Sequence, residues 1–289
     1  MDAQLAQLFV NGIAVGSIIA LAAVGLTLTY GILRLSNFAH GDFMTLGAYL
    51  TLLANSTVGI NIWLSMLLGA VGTVAAMLLS EKLMWSKMRA VRATSTTSII
   101  ISIGLALFIR NGIILIWGGG NRDYNLPIDP AREILGLKIP QNQLLVMFMA
   151  ALAILVLHYL LQNTKIGKAM RAVADNIDLA RVSGINVDSV VIWTWVIAGS
   201  LTALGGSMYG LITAVRPNMG WFLILPMFAS VILGGIGNPY GAIAAALVIG
   251  ITQEISTPLL GSQYKQGVGL SIMILVLLIR PKGLFKSTI

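Results

Sequence analysis

Residues 8–33 read LFVNGIAVGSIIALAAVGLTLTYGIL. No charged residue occurs from Ala3 to Leu33, a run of about 46 Å at the 1.5 Å rise of an α-helix. The hydrocarbon core of a bilayer is about 30 Å thick and takes ~20 apolar residues per helical crossing. The run is therefore read as a membrane helix, and one too long to stand upright. It must tilt, break or begin outside the bilayer. Met1–Gln7 carries no Lys or Arg, so it lacks the basic leading segment of a cleaved signal peptide and is expected to stay.

Outward from that run the same pattern recurs. Of the 289 residues 57% are apolar and 10% charged, with a mean hydropathy of +0.90, whereas soluble domains carry about a quarter charged residues. Nine apolar segments can be placed, at 8–33, 40–55, 60–80, 95–117, 140–162, 189–214, 221–236, 240–257 and 265–280. Apolar periodicity of two is absent, which argues against a β-barrel. The expectation is an all-α polytopic membrane protein, a single transmembrane domain over 1–289 with eight to ten crossing helices. The segments at 221–236 and 240–257 flank Gly234-Gly235-Ile236-Gly237-Asn238-Pro239, and either could be broken or re-entrant. The pairs Gly12/Gly16, Gly206/Gly210 and Gly237/Gly241 read as close helix packing.

Basic residues set the orientation. With the N-terminus outside, the inner loops hold Arg34, Lys82, Lys87, Arg89, Arg92, Lys165, Lys168, Arg171, Arg181, Arg280, Lys282 and Lys286. The outer loops hold only Arg122, Arg132, Lys138, Arg216 and Lys265. The bias favours N-out, C-in. Trp63, Trp117 and Trp221 then fall at the outer interface, and Trp85, Trp193 and Trp195 at the inner one. The pI of 9.9 marks cytoplasmic loops rather than nucleic-acid binding. The only sizeable outer loop, Gly118–Pro140, is either a rim for a soluble partner or a structural cover.

One stretch breaks the oily pattern. Residues 164–188 hold Lys165, Lys168, Arg171, Asp175, Asp178, Arg181 and Asp188. Thr164 is suited to cap a helix start and Gly184 to end one in the left-handed conformation. Between them Met170, Val173, Ala174, Ile177 and Ala180 recur at helical spacing as a stripe of mostly small side chains. Arg171–Asp175 and Asp178–Arg181 are spaced for ion pairs on the opposite surface. So short a helix needs something to bury its stripe. Read from the residues alone, that something is the inner lipid surface or a protein groove.

Two blocks narrow the function. Asn37-Phe38-Ala39-His40-Gly41-Asp42 and Ile166-Gly167-Lys168-Ala169-Met170-Arg171-Ala172-Val173-Ala174-Asp175-Asn176, with Gly184-Ile185-Asn186, resemble the permease subunits of bacterial branched-chain amino-acid ABC importers. The N-F-A-H-G-D block is similar to one of the two permease types in particular, and the resemblance covers essentially the whole chain. It implies residence in the bacterial inner membrane and a second homologous permease to form the pathway. It also implies two cytoplasmic ATPases holding ATP and magnesium, and a periplasmic solute-binding protein delivering an amino acid. It implies a coupling role for 164–188, with Met170, Val173, Ala174, Ile177, Ala180, Gly184, Ile185 and Asn186 at the ATPase contact. Replacing Gly184 or Ala174 by a bulky charged residue is then expected to abolish transport without preventing insertion. Related permeases carry urea or short amides, and Phe38 and Asp42 favour amino acids here.

The candidate pathway or gate residues are Asn37, His40, Asp42, Arg110, Asn111 and Glu254. Asn37 or Asp42 is suited to cap the helix that begins there, with His40 at the interface. Alternatively this helix start faces the pathway, where its dipole favours a carboxylate. Arg110, a charge within the fourth segment, either snorkels outward or pairs, with Glu254 or with the companion permease. His158 reads as an interfacial histidine near the inner end.

Other chemistry is poorly supported. Without cysteine and with only His40 and His158, thiolate sites, disulfides and histidine-rich metal sites are excluded or improbable. No paired carboxylates suggest an enzyme. Gly167-Lys168 is followed by Ala169 and does not form a P-loop, so the chain is expected to bind no cofactor and to borrow its energy. A stand-alone channel or secondary transporter is the competing class. Few ionisable residues in the membrane segments could couple an ion gradient, and no N-P-A loop is present.

Overall fold

The computed structural model describes residues 2–127, 130–134, 136–280 and 283–285. Pro281, Lys282 and Lys286 of the terminal basic cluster lie outside them. Each of the nine apolar segments is a helix. The chain begins with α1 (Asp2–Leu33) and α2 (His40–Leu52), the latter extended by a π-helical turn over Leu53–Thr57. Next comes α3 (Ile62–Ser80), prolonged by a π-turn over Glu81–Trp85 and by α4 (Ser86–Ala90), and then α5 (Ser95–Trp117). A two-stranded hairpin follows, β1 (Ala131–Ile134) and β2 (Leu137–Pro140), and leads into α6 (Gln141–Asn163). The charged stretch forms α7 (Lys165–Asp175) and α8 (Ile177–Val182). The last elements are α9 (Val187–Ile212), α10 (Met219–Gly234), α11 (Pro239–Ile255), α12 (Thr257–Leu260) and α13 (Lys265–Ile279).

Among the described residues six helices are long and apolar enough to cross a membrane, and α10 and α11 are shorter apolar ones. The protein is an all-α polytopic membrane protein; its hairpin is an antiparallel ribbon, with Ala131 opposite Pro140.

α1 is the axis of the bundle. Its residues from Ile18 to Leu28 are almost wholly buried, which explains why the run lacks any polar face. It packs chiefly against α11 and α9. The α1–α11 contact is backbone against backbone: a Cβ on Gly250 would lie 2.5 Å from Gly16 Cα, and one on Gly12 would lie 2.5 Å from Ile251 Cα. Gly12 and Gly16 thus do what small residues do in lipid, letting two helices approach where no hydrophobic effect drives them together.

The break in helical structure falls elsewhere than the glycine pattern suggests. α10 and α11 are each continuous and joined by a tight turn over residues 235–238. The irregular backbone within the bundle is instead residues 34–39, between α1 and α2. Asn37 Oδ1 accepts the Ala39 N–H (3.1 Å) and Ser102 Oγ accepts the Phe38 N–H (3.1 Å). The Phe38 ring lies 4.7 Å from that of Phe228. Irregular backbone at membrane depth survives only when protein satisfies it in this way.

The long loop is a cover at one end. Arg122 and Val215 exchange backbone hydrogen bonds, the buried Tyr124 donates to the Ala48 carbonyl (3.3 Å), and Asn55 Oδ1 accepts the Asn125 N–H (2.9 Å). Burial raises the Tyr124 pKa far above its ordinary value. Lys138 N–H donates to Gln7 Oε1 (3.1 Å), so the hairpin sits over the start of α1. At the other end Arg34, just past α1, donates to the Ala174 carbonyl of α7 (3.3 Å). The Leu284 N–H reaches the Leu233 carbonyl there (2.8 Å), close to the α10–α11 turn. The start of α1 and residues 283–285 therefore lie at opposite ends of the bundle.

Two candidate sites, an intramembrane ion pair and the charged stretch

The first site is built by the start of α2. His40 Nε2 lies 2.9 Å from the Ala22 carbonyl oxygen and 2.8 Å from Thr202 Oγ1. α2 therefore begins beside the interior of α1 and α9 and not at the bundle's end. The Ala22 carbonyl can only accept, so this nitrogen carries the proton. His40 is fully buried, which overturns the interfacial reading. Close approach makes the site possible: a Cβ on Gly220 would fall 1.7 Å from the Gly41 carbonyl oxygen. α10 can start against α2 only without side chains there. The Gly220 N–H donates to Thr45 Oγ1 (3.0 Å).

Asp42, in the first turn of α2, is sealed, and its partner is Arg110 of α5. The guanidinium binds both carboxylate oxygens, Nε to Oδ1 at 2.9 Å and Nη2 to Oδ2 at 3.0 Å. Side-chain exposure is 1% for Asp42 and 14% for Arg110. The cation also lies 4.6 Å over the Trp221 ring of α10. Arg110 thus neither snorkels outward nor pairs with Glu254, because a two-pronged carboxylate within the chain satisfies it better than a distant interface. Glu254 Oε1 instead takes Lys265 Nζ (2.6 Å). No side chain caps α2; Asn37 braces the preceding turn, and its amide Nδ2 is buried without a partner among the described residues. Asn111 faces outward, its Nδ2 bonded back to the Leu107 carbonyl (2.8 Å).

The second site is the charged stretch. Thr164 caps α7 as expected, its Oγ1 accepting the Gly167 N–H (3.1 Å), and Gly184 takes φ +83° after α8. Between them the structure departs from one helix. Asn176 adopts an extended conformation, and its Oδ1 caps α8 by accepting the N–H groups of Asp178 (3.0 Å) and Leu179 (2.9 Å). An asparagine ahead of Ile177-Asp178 is a typical cap signal. The continuous apolar spacing across it concealed the break.

The break redirects the stripe. Met170, Val173, Ala174 and Ala180 are buried against this chain's own bundle, so the surface expected to await a partner is already covered. Ile177, Gly184 and Asn186 are exposed and Ile185 is half-buried. The outward apolar surface is Ile177, Leu179 and Val182, exposed by 41%, 62% and 81%. Among the described residues neither expected ion pair forms; Arg171 instead donates to the Leu161 carbonyl at the end of α6, an otherwise orphaned acceptor.

A further cluster was missed from sequence. Glu81, on the π-turn after α3, accepts Trp195 Nε1–H (2.8 Å) and pairs with Arg89. Trp195 and Trp85 are fully buried, while Trp193 is exposed as an interfacial ring would be. Glu81 and Trp195 are 114 positions apart, and no local pattern links them. His158 contacts the Tyr240 hydroxyl through Nδ1 (2.9 Å).

The sequence matches the family described as branched-chain amino acid transport system / permease component over residues 8–277. It is 33% identical to the high-affinity branched-chain amino acid transport system permease protein LivH of Salmonella typhimurium, over 97% of this chain and 94% of that protein. It is 28% identical to the permease protein BraD of Pseudomonas aeruginosa, over 96% and 94%. Identity to the permease protein LivM of Salmonella typhimurium is 23%, over 92% and 67%. No solved structure matches.

Proposed function

Because the chain belongs to the branched-chain amino acid transport permease family, we propose that it is a membrane subunit of an ATP-driven amino-acid importer. A second, homologous permease would complete the pathway, two cytoplasmic ATPases would hold ATP and magnesium, and a periplasmic binding protein would deliver the solute. The likeness to both LivH and LivM supports such a pairing. The chain itself contributes no catalysis in this reading. The end carrying α7 and α8 faces the cytoplasm of a bacterial inner membrane, with the N-terminus outside, as the basic residues favour.

The observation that carries the reading is the placement of α7 and α8. Their inner faces are anchored in the bundle, and Ile177, Leu179 and Val182 are left outward at its end. A helix pair anchored on one side and apolar on the other can transmit a push from a soluble partner to α1, through Arg34 and the Ala174 carbonyl. Ile177, Gly184, Ile185 and Asn186 form the proposed ATPase contact with Leu179 and Val182, while Met170, Val173, Ala174 and Ala180 hold that contact rigid. The Asp42–Arg110 pair, held under Trp221, would tie α5 to α2 and α10 and act as a latch on the pathway side.

Reconstitution with the second permease, the two ATPases and the binding protein tests this. The reading expects ATP-dependent leucine uptake that none of the chains supports alone. Uptake of urea in preference to leucine would favour the short-amide alternative. Transport by the isolated chain on an ion gradient would sink the importer reading.

A further inference from the structure

At the hairpin end of the bundle lies a cleft of about 550 Å³, within the ~300–1,000 Å³ range usual for small-ligand sites. One wall is a set of carboxamides already fixed by their own hydrogen bonds. Gln7 Nε2 donates to Asn11 Oδ1 (3.2 Å), as does Gln143 Nε2 (3.1 Å), and Gln143 is buried. The lining also includes the apolar side chains of Val15, Leu211 and Ile212. Two charges of opposite sign complete it. Lys138 is exposed and forms no ion pair among the described residues. Glu254 is mostly buried, and Lys265 engages only its Oε1, which leaves Oε2 for a ligand.

We infer that this cleft is a binding subsite for a free α-amino acid with an aliphatic side chain, resting on the amino-acid reading above. Lys138 takes the carboxylate and Glu254 Oε2 the ammonium group. The side chain lies on Val15, Leu211 and Ile212. A neutral amide such as urea would leave both charges unused. A zwitterion satisfies both, and a branched aliphatic side chain removes the apolar lining from water. One turn along, the backbones of α1 and α11 touch at Gly12, Gly16 and Gly250. That contact bounds the cleft on the α1–α11 side.

The test is equilibrium binding to the full-length chain, purified alone in nanodiscs. The radiolabelled probes are L-leucine, leucinol, which lacks the carboxylate, and 4-methylpentanoate, which lacks the ammonium. Saturable leucine binding is expected, with each single-charge analogue at least about tenfold weaker, the discrimination expected when a site's polar group loses its partner. K138Q should collapse the difference between leucine and leucinol without changing the melting temperature, and L211W should abolish binding by filling the cleft. No leucine binding, or a leucine-to-leucinol ratio unmoved by K138Q, overturns the subsite. Leucine uptake by the assembled importer, measured in parallel, separates the two ideas. Intact uptake without binding removes the subsite alone, whereas absent uptake counts against the amino-acid reading itself.

Discussion

The Asp42–Arg110 pair gives the sharpest test of the fold. Asp42→Leu would leave a guanidinium that is only 14% exposed and has lost both its 2.9 Å and 3.0 Å bonds. Removing one partner of a buried pair costs about 3–5 kcal/mol. The cation–π contact with Trp221 survives and offsets part of this, about 0.5–2 kcal/mol. Arg110→Leu loses that contact as well and leaves the sealed carboxylate, so it should be the more damaging change. The double variant replaces two desolvated charges with apolar groups, which is often neutral or stabilising. With the double variant near neutral, the coupling energy is close to the sum of the two single losses, on the order of 5 kcal/mol. At ~2–4 °C per kcal/mol for a large domain, a loss of about 3–5 kcal/mol lowers the melting temperature of the detergent-solubilised chain by about 6–20 °C for Arg110→Leu and by less for Asp42→Leu, and the double change restores most of it. Thermal unfolding of the four proteins, followed by circular dichroism, reads the cycle. If the two losses simply add in the double variant, the pair is not the latch described here.

Three other outcomes follow from particular contacts. Gly16→Val should prevent α1 and α11 from meeting and give aggregated protein on size exclusion, whereas Gly104→Ala, with nothing within 4 Å, should elute as wild type; equal behaviour would contradict the backbone contact. Asn176→Ala removes both cap bonds of α8 and should cost about 0.5–2 kcal/mol, speeding hydrogen exchange at Asp178 and Leu179. Asn176→Asp should keep that protection, and unchanged exchange in the alanine variant would mean that the cap is not what separates α7 from α8. Ala174→Glu should lower the melting temperature of the chain itself, since Ala174 is buried in the bundle, while Val182→Glu should leave stability alone and uncouple partner ATPase activity from uptake. A stable, monodisperse Ala174→Glu protein would restore the idea that this face is open to a partner.

These contrasts mark where local reasoning stopped working. Thr164 and Gly184 were legible as helix boundaries because a cap is a contact within a turn. Asn176 carries an equally local signal, yet the apolar spacing of Val173, Ala174, Ile177 and Ala180 runs across it as if one helix continued. Periodicity shows which residues share a face and cannot show whether the chain turns between them. The same limit explains the stripe: small residues at helical spacing must be buried, but sequence does not say by whom. Among the candidate pathway residues, Asn37, His40, Asp42 and Arg110 were legible as polar groups in an apolar chain. Their partners were not, because Arg110 and Asp42 stand 68 positions apart and nothing near either names the other.

By itself, then, the sequence determined that this is a bundle of membrane helices and where its nine apolar helical segments lie. Those properties follow from composition and spacing, since hydrocarbon penalises every unpaired polar group at whatever point of the chain it occurs. Only the tertiary structure decided that α2 begins inside the bundle, that Asp42 receives Arg110 and that the stripe on α7 and α8 turns inward. Those depend on which backbones can touch, as at Gly41 and Gly220 or Gly16 and Gly250, and close approach between distant segments leaves no periodic trace.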